Sequence, residues 1–514
     1  MQDAQPETIR EAEQQLGLAM DHHQAGRLAA ADRHYARVLE LVPVHSQALR
    51  LRGIVARTRG HLQQSLQLLS AAVEYAPTSA RAHAELGLTR MASGDLQGAE
   101  HSLRTARMLT PNAINVLTNL GALLQHRGHV REAVDLYREV LAQDSDEFEV
   151  RCNLIKALAD TGDIDTALRE AEAAVAAAGG ARGTLAAKGA VLVDARRYPA
   201  AAAVLRAAVA QDPADGMAQV NLALCYAELG ELQPAIGCLQ TALEHNPHNA
   251  RAAADLVNAL SRSGEDAAAV GLGEHFLAGH PGERMVTGSY ALALHNAGET
   301  RRAAELTDCS TLVQVFDLAA PAPFASPDAF NAALRQLLLA DGSLLNDPVG
   351  KATTGGAQTG ELDLDSAPAL RGFAQRVNAA VREALATYRS RGLATHPLMQ
   401  VATPDWHLRA WGTVLQAGGR QSPHMHPLGW LSGVYYVDLP AGMDATDPQA
   451  GWLEFGAPPD RYYCPNPPAT SGFAPAAGRL IVFPSWFWHR TLPFSSSASR
   501  ISIAFDVMPS FADR

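Results

Sequence analysis

The spacing of apolar and small residues divides the chain into stretches with different periods. Through the first three fifths, proline recurs every 34 residues at Pro43, Pro77, Pro111, Pro213, Pro247 and Pro281, with Ser145 and Gly179 at the two missing positions. A second series with the same step holds glycine at Gly26, Gly60, Gly94, Gly128, Gly162, Gly230, Gly264 and Gly298, broken by Arg196. A third holds alanine at Ala31, Ala99, Ala133, Ala167, Ala201, Ala235, Ala269 and Ala303, with Ser65 as its exception. These series predict a repeated pair of helices: glycine frees the turn between them, alanine lets them approach, and proline ends the second. One such unit cannot bury its apolar face alone, so the units must stack.

The register fails near Asp308, and the proline-rich DLAAPAPFASPDAF marks a boundary. Ser326-Pro327-Asp328 starts a helix over AFNAALRQLLLA. KATTGGAQTGELDLD follows and reads as a loop, in which Gln358 and Thr359 are either pocket residues or plain loop. From Ser366 to Tyr388, Leu370, Phe373, Val377, Val381, Leu385 and Tyr388 recur at three- and four-residue spacing, predicting one amphipathic helix packed on a sheet. From Trp406 the period shortens to that of strands: HLRAWGTVLQ, GWLSGVYYVDLP, GWLEFGAP, GRLIVFPSWFWH and RISIAFDVMP, an all-β barrel or double-sheet pattern. The expected organisation is therefore multidomain: 1–310 repeats, 311–405 linker and supporting helices, 406–514 the β core.

Composition narrows the function. Forty-two basic against fifty-three acidic residues give a net charge of −11, which argues against general nucleic-acid or anionic-membrane binding. The five cysteines are scattered, so neither a disulfide framework nor a thiolate zinc site is indicated, and a reducing compartment fits. The opening MQDAQPETIREAEQQL has no basic stretch before an apolar core, and nowhere do eighteen apolar residues run together. The expectation is a cytoplasmic protein with no membrane span. With only three lysines, none after Lys351, the chemistry of the C-terminal part has to come from histidine, arginine and carboxylates.

Three histidines there have ligand-like spacing. His424 and His426, two apart on an extended segment, point the same way, and His489 arrives from a facing strand, so three imidazoles can hold one face of a metal. Such a face leaves positions open for a bidentate cosubstrate and dioxygen. Eleven residues beyond His489 comes Arg500, then Ser502: a guanidinium that can grip a carboxylate in two places and a hydroxyl that adds a hydrogen bond. Tyr462 and Tyr463 sit in a proline-rich loop, 456–477, that is either a lid over the metal or ordinary surface.

The three 34-residue series resemble the tetratricopeptide repeat family, about nine units over roughly residues 9–310, and the resemblance implies a right-handed superhelix with a groove. One position on the first helix of the units carries Asn119, Asn153, Asn221 and Asp255, interrupted by Glu85 and Ala187. Carboxamides repeated along a groove can clasp the main chain of an extended peptide, as in peptide-binding repeats of this family; the plainer alternative is that they face solvent.

PHMHP, SGVYYV, GRLIVFPSWFWH and RISIAF together resemble the iron(II)- and 2-oxoglutarate-dependent oxygenases, specifically bacterial ones that often carry such repeats. The resemblance covers roughly residues 318–514 and implies a double-stranded β-helix, or jelly roll, with flanking helices. It implies that His424 and His489 are ligands of iron(II), that Arg500 grips the 5-carboxylate of 2-oxoglutarate and that Tyr436 shares it. Most of that superfamily has Asp or Glu where His426 stands, so the site would be one unit more positive. Either His426 is the third ligand, or it stands behind the metal and Asp405 or Glu454 supplies the anion; strand alternation turns Glu454 outward. The resulting expectation is an oxygenase that hydroxylates a peptide or protein recruited by the repeats. The alternatives are repeats that dock a partner beside a barrel oxidising a small metabolite, a non-catalytic interaction protein, and a cupin-like metal enzyme without cosubstrate.

Overall fold

The computed structural model describes residues 6–177, 183–443, 447–496 and 498–509. Among these the repeat region folds as eighteen helices: α1 (Pro6–Gln24), α2 (Leu28–Leu41), α3 (Ser46–Thr58), α4 (Leu62–Tyr75), α5 (Ala80–Ala92), α6 (Leu96–Leu109), α7 (Ile114–His126), α8 (Val130–Gln143), α9 (Phe148–Asp160), α10 (Ile164–Ala177), α11 (Thr184–Asp194), α12 (Tyr198–Gln211), α13 (Gly216–Glu228), α14 (Leu232–His245), α15 (Ala250–Arg262), α16 (Asp266–Gly279), α17 (Arg284–Asn296) and α18 (Thr300–Thr307). Six of the even-numbered helices, α2, α4, α6, α12, α14 and α16, stop two residues before a proline of the first series. Helix α8 stops at the same distance before Ser145, so proline is sufficient but not required there; Gly179 lies outside the described residues.

The glycines of the second series all take left-handed backbone, with φ from +70° at Gly26 to +88° at Gly162. Arg196, its one interruption, is forced into the same region at φ +54°, where a side chain is strained. The alanines of the third series are buried. Ser65 fills the same site because its hydroxyl donates to the Gly53 carbonyl at 2.8 Å, which removes the penalty of burying a polar group.

Two compact units result: residues 1–127 with 132–150, and residues 128–131 with 151–510. The first holds most of α1–α8; within it Arg104 pairs with Glu100 and Glu132, each at 2.7 Å. The second contains the remaining repeat helices and a ten-stranded antiparallel sheet: β1 (Gln314–Asp317), β2 (Leu345–Asn346), β3 (Thr353–Gln358), β4 (Trp406–His424), β5 (Leu431–Asp438), β6 (Leu453–Phe455), β7 (Ser471–Phe473), β8 (Arg479–Pro484), β9 (His489–Thr491) and β10 (Arg500–Pro509). The order is β1-β8-β5-β10-β4-β9-β6-β7, with β3 pairing to β2 and β4.

Strand β4 curls the sheet. Its first half, Trp406–Leu415, lies along β10, while Gln421 and His424 pair with β9. Between the halves Gly418 turns at φ +73°. One face of the sheet is apolar. Ile501, Ile503, Phe505 and Val507 are buried there, under α20 (Pro327–Leu339) and α21 (Pro368–Ser390), the helices numbered after the short α19 (Cys309–Leu312). Phe373 of α21 meets Phe505 and Tyr435 with ring centroids 6.1 and 5.9 Å apart. The six apolar positions predicted for α21 are all buried.

Three expectations are corrected. The glycine-rich KATTGGAQTGELDLD contains a strand, β3, because Gly356 lets it approach β4 so closely that a Cβ would sit 2.6 Å from the Val414 carbonyl oxygen. GRLIVFPSWFWH is not one strand: β8 ends at Pro484, and His489 begins β9 after a tight turn. The β region also begins earlier than Trp406, since β1 pairs with β8 from Gln314.

Candidate metal centre

Strand alternation sends Arg500, Ser502 and Asp506 of β10 to the face opposite α20 and α21, together with their partners across the ladders: Thr413 on β4 and Tyr436 on β5 beside Ser502, and Arg409 and Ser432 beside Asp506. The end of β4 and the start of β9 meet at the same face, with His424 paired to His489.

The three histidines are brought together. Ring centroids lie 4.2 Å apart for His424 and His489, 5.1 Å for His426 and His489, and 5.4 Å for His424 and His426. One ring nitrogen from each lies within 4.8 Å of the others, and among the described residues this is the group of such donors that can hold a metal ion. Their tautomers are fixed by what stands behind them. His424 Nδ1 faces the Ser422 carbonyl at 2.8 Å, His489 Nδ1 the Phe487 carbonyl at 2.9 Å, and His426 Nδ1 the Asp506 carboxylate at 2.5 Å. Each of those oxygens accepts, so each Nδ1 carries a proton and each Nε2 is the nitrogen left to face a metal. Burial, and then the His426 ring beside it, lowers the His424 pKa to about 3; burial, and then His424, pushes His489 well below its ordinary value. The His424 and His489 rings are thus held neutral, side by side.

Behind His426 stands a buried anion, Asp506. Burial alone would raise its pKa, but the charge and hydrogen bond of His426 and the Ser432 hydroxyl, 2.6 Å away, hold it below the usual carboxylate value. Ser432 is in turn 2.7 Å from the Ser485 hydroxyl. The two other candidates are placed away from the histidines: Asp405 is exposed, and Glu454 turns outward to pair with Arg490 at 2.6 Å.

On the same face of the sheet is a charge without a counter-ion. Arg500 is 1% exposed, stacks on Tyr436 with its guanidinium carbon 4.9 Å from the ring centre, and pairs with no carboxylate among the described residues. Its stem runs past Gly451, and Leu415, Met443, Ala450 and Phe494 form an apolar cluster nearby. Burial lowers its pKa and raises that of Tyr436, the latter offset by the Arg500 charge. Three buried polar atoms here make no hydrogen bond: Arg500 Nε, Tyr436 Oη and Thr413 Oγ1. Each costs about 1–3 kcal/mol when left unpaired. A small carboxylate-bearing ligand would satisfy them, so the donor set fits a dicarboxylate such as 2-oxoglutarate. Ser502 is 3.4 Å from Arg500 Nη1 and steadies the guanidinium. Thr413 carries no motif of its own; its position opposite Ser502 was the available signal.

The repeat asparagines are less uniform. Asn119, Asn153 and Asn221 are half-buried on α7, α9 and α13. Asp255 on α15 pairs with Arg251 at 2.5 Å and lies beside the buried Tyr462. Ser289, one step further along the series, is buried and its hydroxyl makes no hydrogen bond. Gln358 is paired across the β3–β4 ladder with Thr413 and so shares its face, where it accepts from Thr353 at 3.2 Å; the Thr359 hydroxyl instead joins Gly360 and Gly412. None of the described helices is long and apolar enough to cross a membrane.

Comparison with known proteins agrees with this division. The family described as "Tetratricopeptide repeat" matches residues 16–80, 52–114, 118–182 and 187–250, and the family described as "Putative 2OG-Fe(II) oxygenase" matches residues 409–506. A Caenorhabditis elegans protein named Protein O-mannosyl-transferase F38B6.6 is 31% identical over 99 residues, 19% of this chain but only 14% of that protein. Among solved structures, a tetratricopeptide repeat protein from Parabacteroides merdae ATCC 43184 is 14% identical, covering 46% of this chain and 94% of its own, with a TM-score of 0.43. YrrB, described as a TPR protein with an unusual peptide-binding site, is 16% identical and covers 42% of this chain and 95% of its own, with a TM-score of 0.27.

Proposed function

We propose that this chain, which carries tetratricopeptide repeats and a domain matching the 2OG-Fe(II) oxygenase family, is an iron(II)- and 2-oxoglutarate-dependent oxygenase that hydroxylates a peptide or protein recruited by its repeats. One observation carries the reading: three imidazoles with every Nδ1 committed elsewhere stand on the same face as a buried, unpaired guanidinium. On this reading the curled sheet belongs to a double-stranded β-helix. Bound iron(II) supplies the activation of dioxygen, coupled to oxidative decarboxylation of the cosubstrate.

The chain's own part is binding, orientation and exclusion of water. His424, His426 and His489 hold the metal from one side. Asp506 keeps the His426 proton on Nδ1 and lends that ring negative charge, which offsets the missing carboxylate ligand. Arg500 takes the distal carboxylate of 2-oxoglutarate with help from Tyr436, Thr413 and Ser502, the charge pair forming where water cannot screen it. Phe483, 4.8 Å from His489 between ring centroids, and Trp411, 5.4 Å from His426, wall the site.

The test is aerobic incubation with iron(II) and 2-oxoglutarate. Succinate is expected from the wild type and none above background from His489→Ala; equal rates in the two would remove the proposal.

A further inference from the structure

The loop between β6 and β7 is held by the repeat helices as well as by the sheet it interrupts. The Asn258 carboxamide on α15 donates to the Arg461 carbonyl at 3.1 Å and accepts the Tyr463 amide proton at 2.9 Å, so one side chain satisfies the main chain on both sides of Tyr462. On α17, Asn296 donates to the Tyr463 carbonyl at 2.8 Å and His295 Nε2 donates to the Asn466 carbonyl at 2.6 Å. All four bonds go to backbone, the mode by which a groove holds an extended peptide without reading its sequence. One side chain of the loop is read. Tyr462, 8% exposed, packs against Leu292, has its ring centre 4.6 Å from that of Trp488 in a tilted contact, and feels the charges of Asp255 and Arg251. Pro465, Pro467 and Pro468 favour an extended backbone, which reduces the entropy lost on docking.

We infer that α15 and α17 form a main-chain clasp for an extended, tyrosine-bearing peptide, and that the chain's own Arg461–Asn466 is its resident occupant, which a partner polypeptide of the same chemistry must displace. The use of the clasp for recruitment rests on the function proposed above; the clasp itself does not, because it is measured by binding and proteolysis without turnover. Displacement would also withdraw Tyr462 from Trp488, the neighbour in sequence of His489, so an arriving peptide and the metal face share a structural element.

Two measurements on the full chain test this. The first is limited trypsin digestion, with cleavage of the Arg461–Tyr462 bond followed by mass spectrometry. Asn258→Ala should raise that rate at least tenfold while cleavage at other arginines stays as in the wild type, and an unchanged rate overturns the inference. The second is fluorescence anisotropy with a labelled decapeptide copying residues 459–468, serine replacing Cys464. Tyr462→Ala, whose resident segment has lost its anchor, should bind the peptide at least tenfold tighter than the wild type, and adding Asn258→Ala should abolish that gain. Equal binding to all three proteins, or no binding to Tyr462→Ala, overturns it.

Discussion

Asp506 does for His426 what backbone carbonyls do for His424 and His489, but with a full charge. Asn in its place would still accept the Nδ1 proton through its carbonyl oxygen and would keep the ring in place, so Asp506→Asn isolates the charge from the geometry. Affinity for iron(II), measured anaerobically by competition with a chromophoric chelator, should fall about 10- to 100-fold; an unchanged affinity would mean that the carboxylate only positions the ring. The histidines were legible because two imidazoles two residues apart on extended chain have to share a face. Asp506 was not: it lies 80 residues from His426 inside RISIAFDVMP, where one carboxylate among apolar neighbours reads as the solvent-facing member of an alternating strand. Only the pairing of β10 with both β4 and β5 turns it inward. Arg500 and Thr413 differ in the same way, since a buried arginine demands an explanation and a threonine in a strand demands none.

At the level of elements, glycine was read well where it recurs and badly where it packs. The 34-residue series exposed the turns because one left-handed residue is needed per repeat, a demand strong enough to bend even Arg196 into that region. In the β region some glycines serve close approach instead. Gly356 read as loop, although it is there to let β3 reach β4, and Gly433 in the middle of β5 belongs to no recurring series. A Cβ at Gly433 would meet Phe505 Cζ at 2.3 Å and the Ile481 carbonyl oxygen at 2.4 Å, and neither a ring packed under α21 nor a ladder carbonyl can yield. Gly433→Ala should therefore destabilise the second unit by about 1–3 kcal/mol, read as a lower urea midpoint at unchanged slope for the transition followed by tryptophan fluorescence. All six tryptophans lie between Trp406 and Trp488, so that signal reports this unit. A midpoint equal to that of the wild type would mean that β5 and β10 separate more easily than their packing implies.

For the whole molecule, a ligand that binds only the folded site stabilises the unit that contains it. The proposed ligands all belong to the unit of residues 151–510, and α1–α8 contribute none of them. Metal at about 100 times its dissociation constant adds about 2.7 kcal/mol to the stability of the unit that binds it. Hydrogen exchange separates the two units within one experiment, because amides in β9 and β10 exchange only when the sheet opens, whereas those in α1–α7 answer to the opening of a different core. With iron(II) added anaerobically, protection should rise about a hundredfold in β9 and β10 where exchange requires the site to unfold, stay level in α1–α7, and return to the metal-free value in His489→Ala. Protection rising as much in His489→Ala as in the wild type would mean that the metal acts by generalised surface binding, and the three histidines would lose their claim to a specific ion.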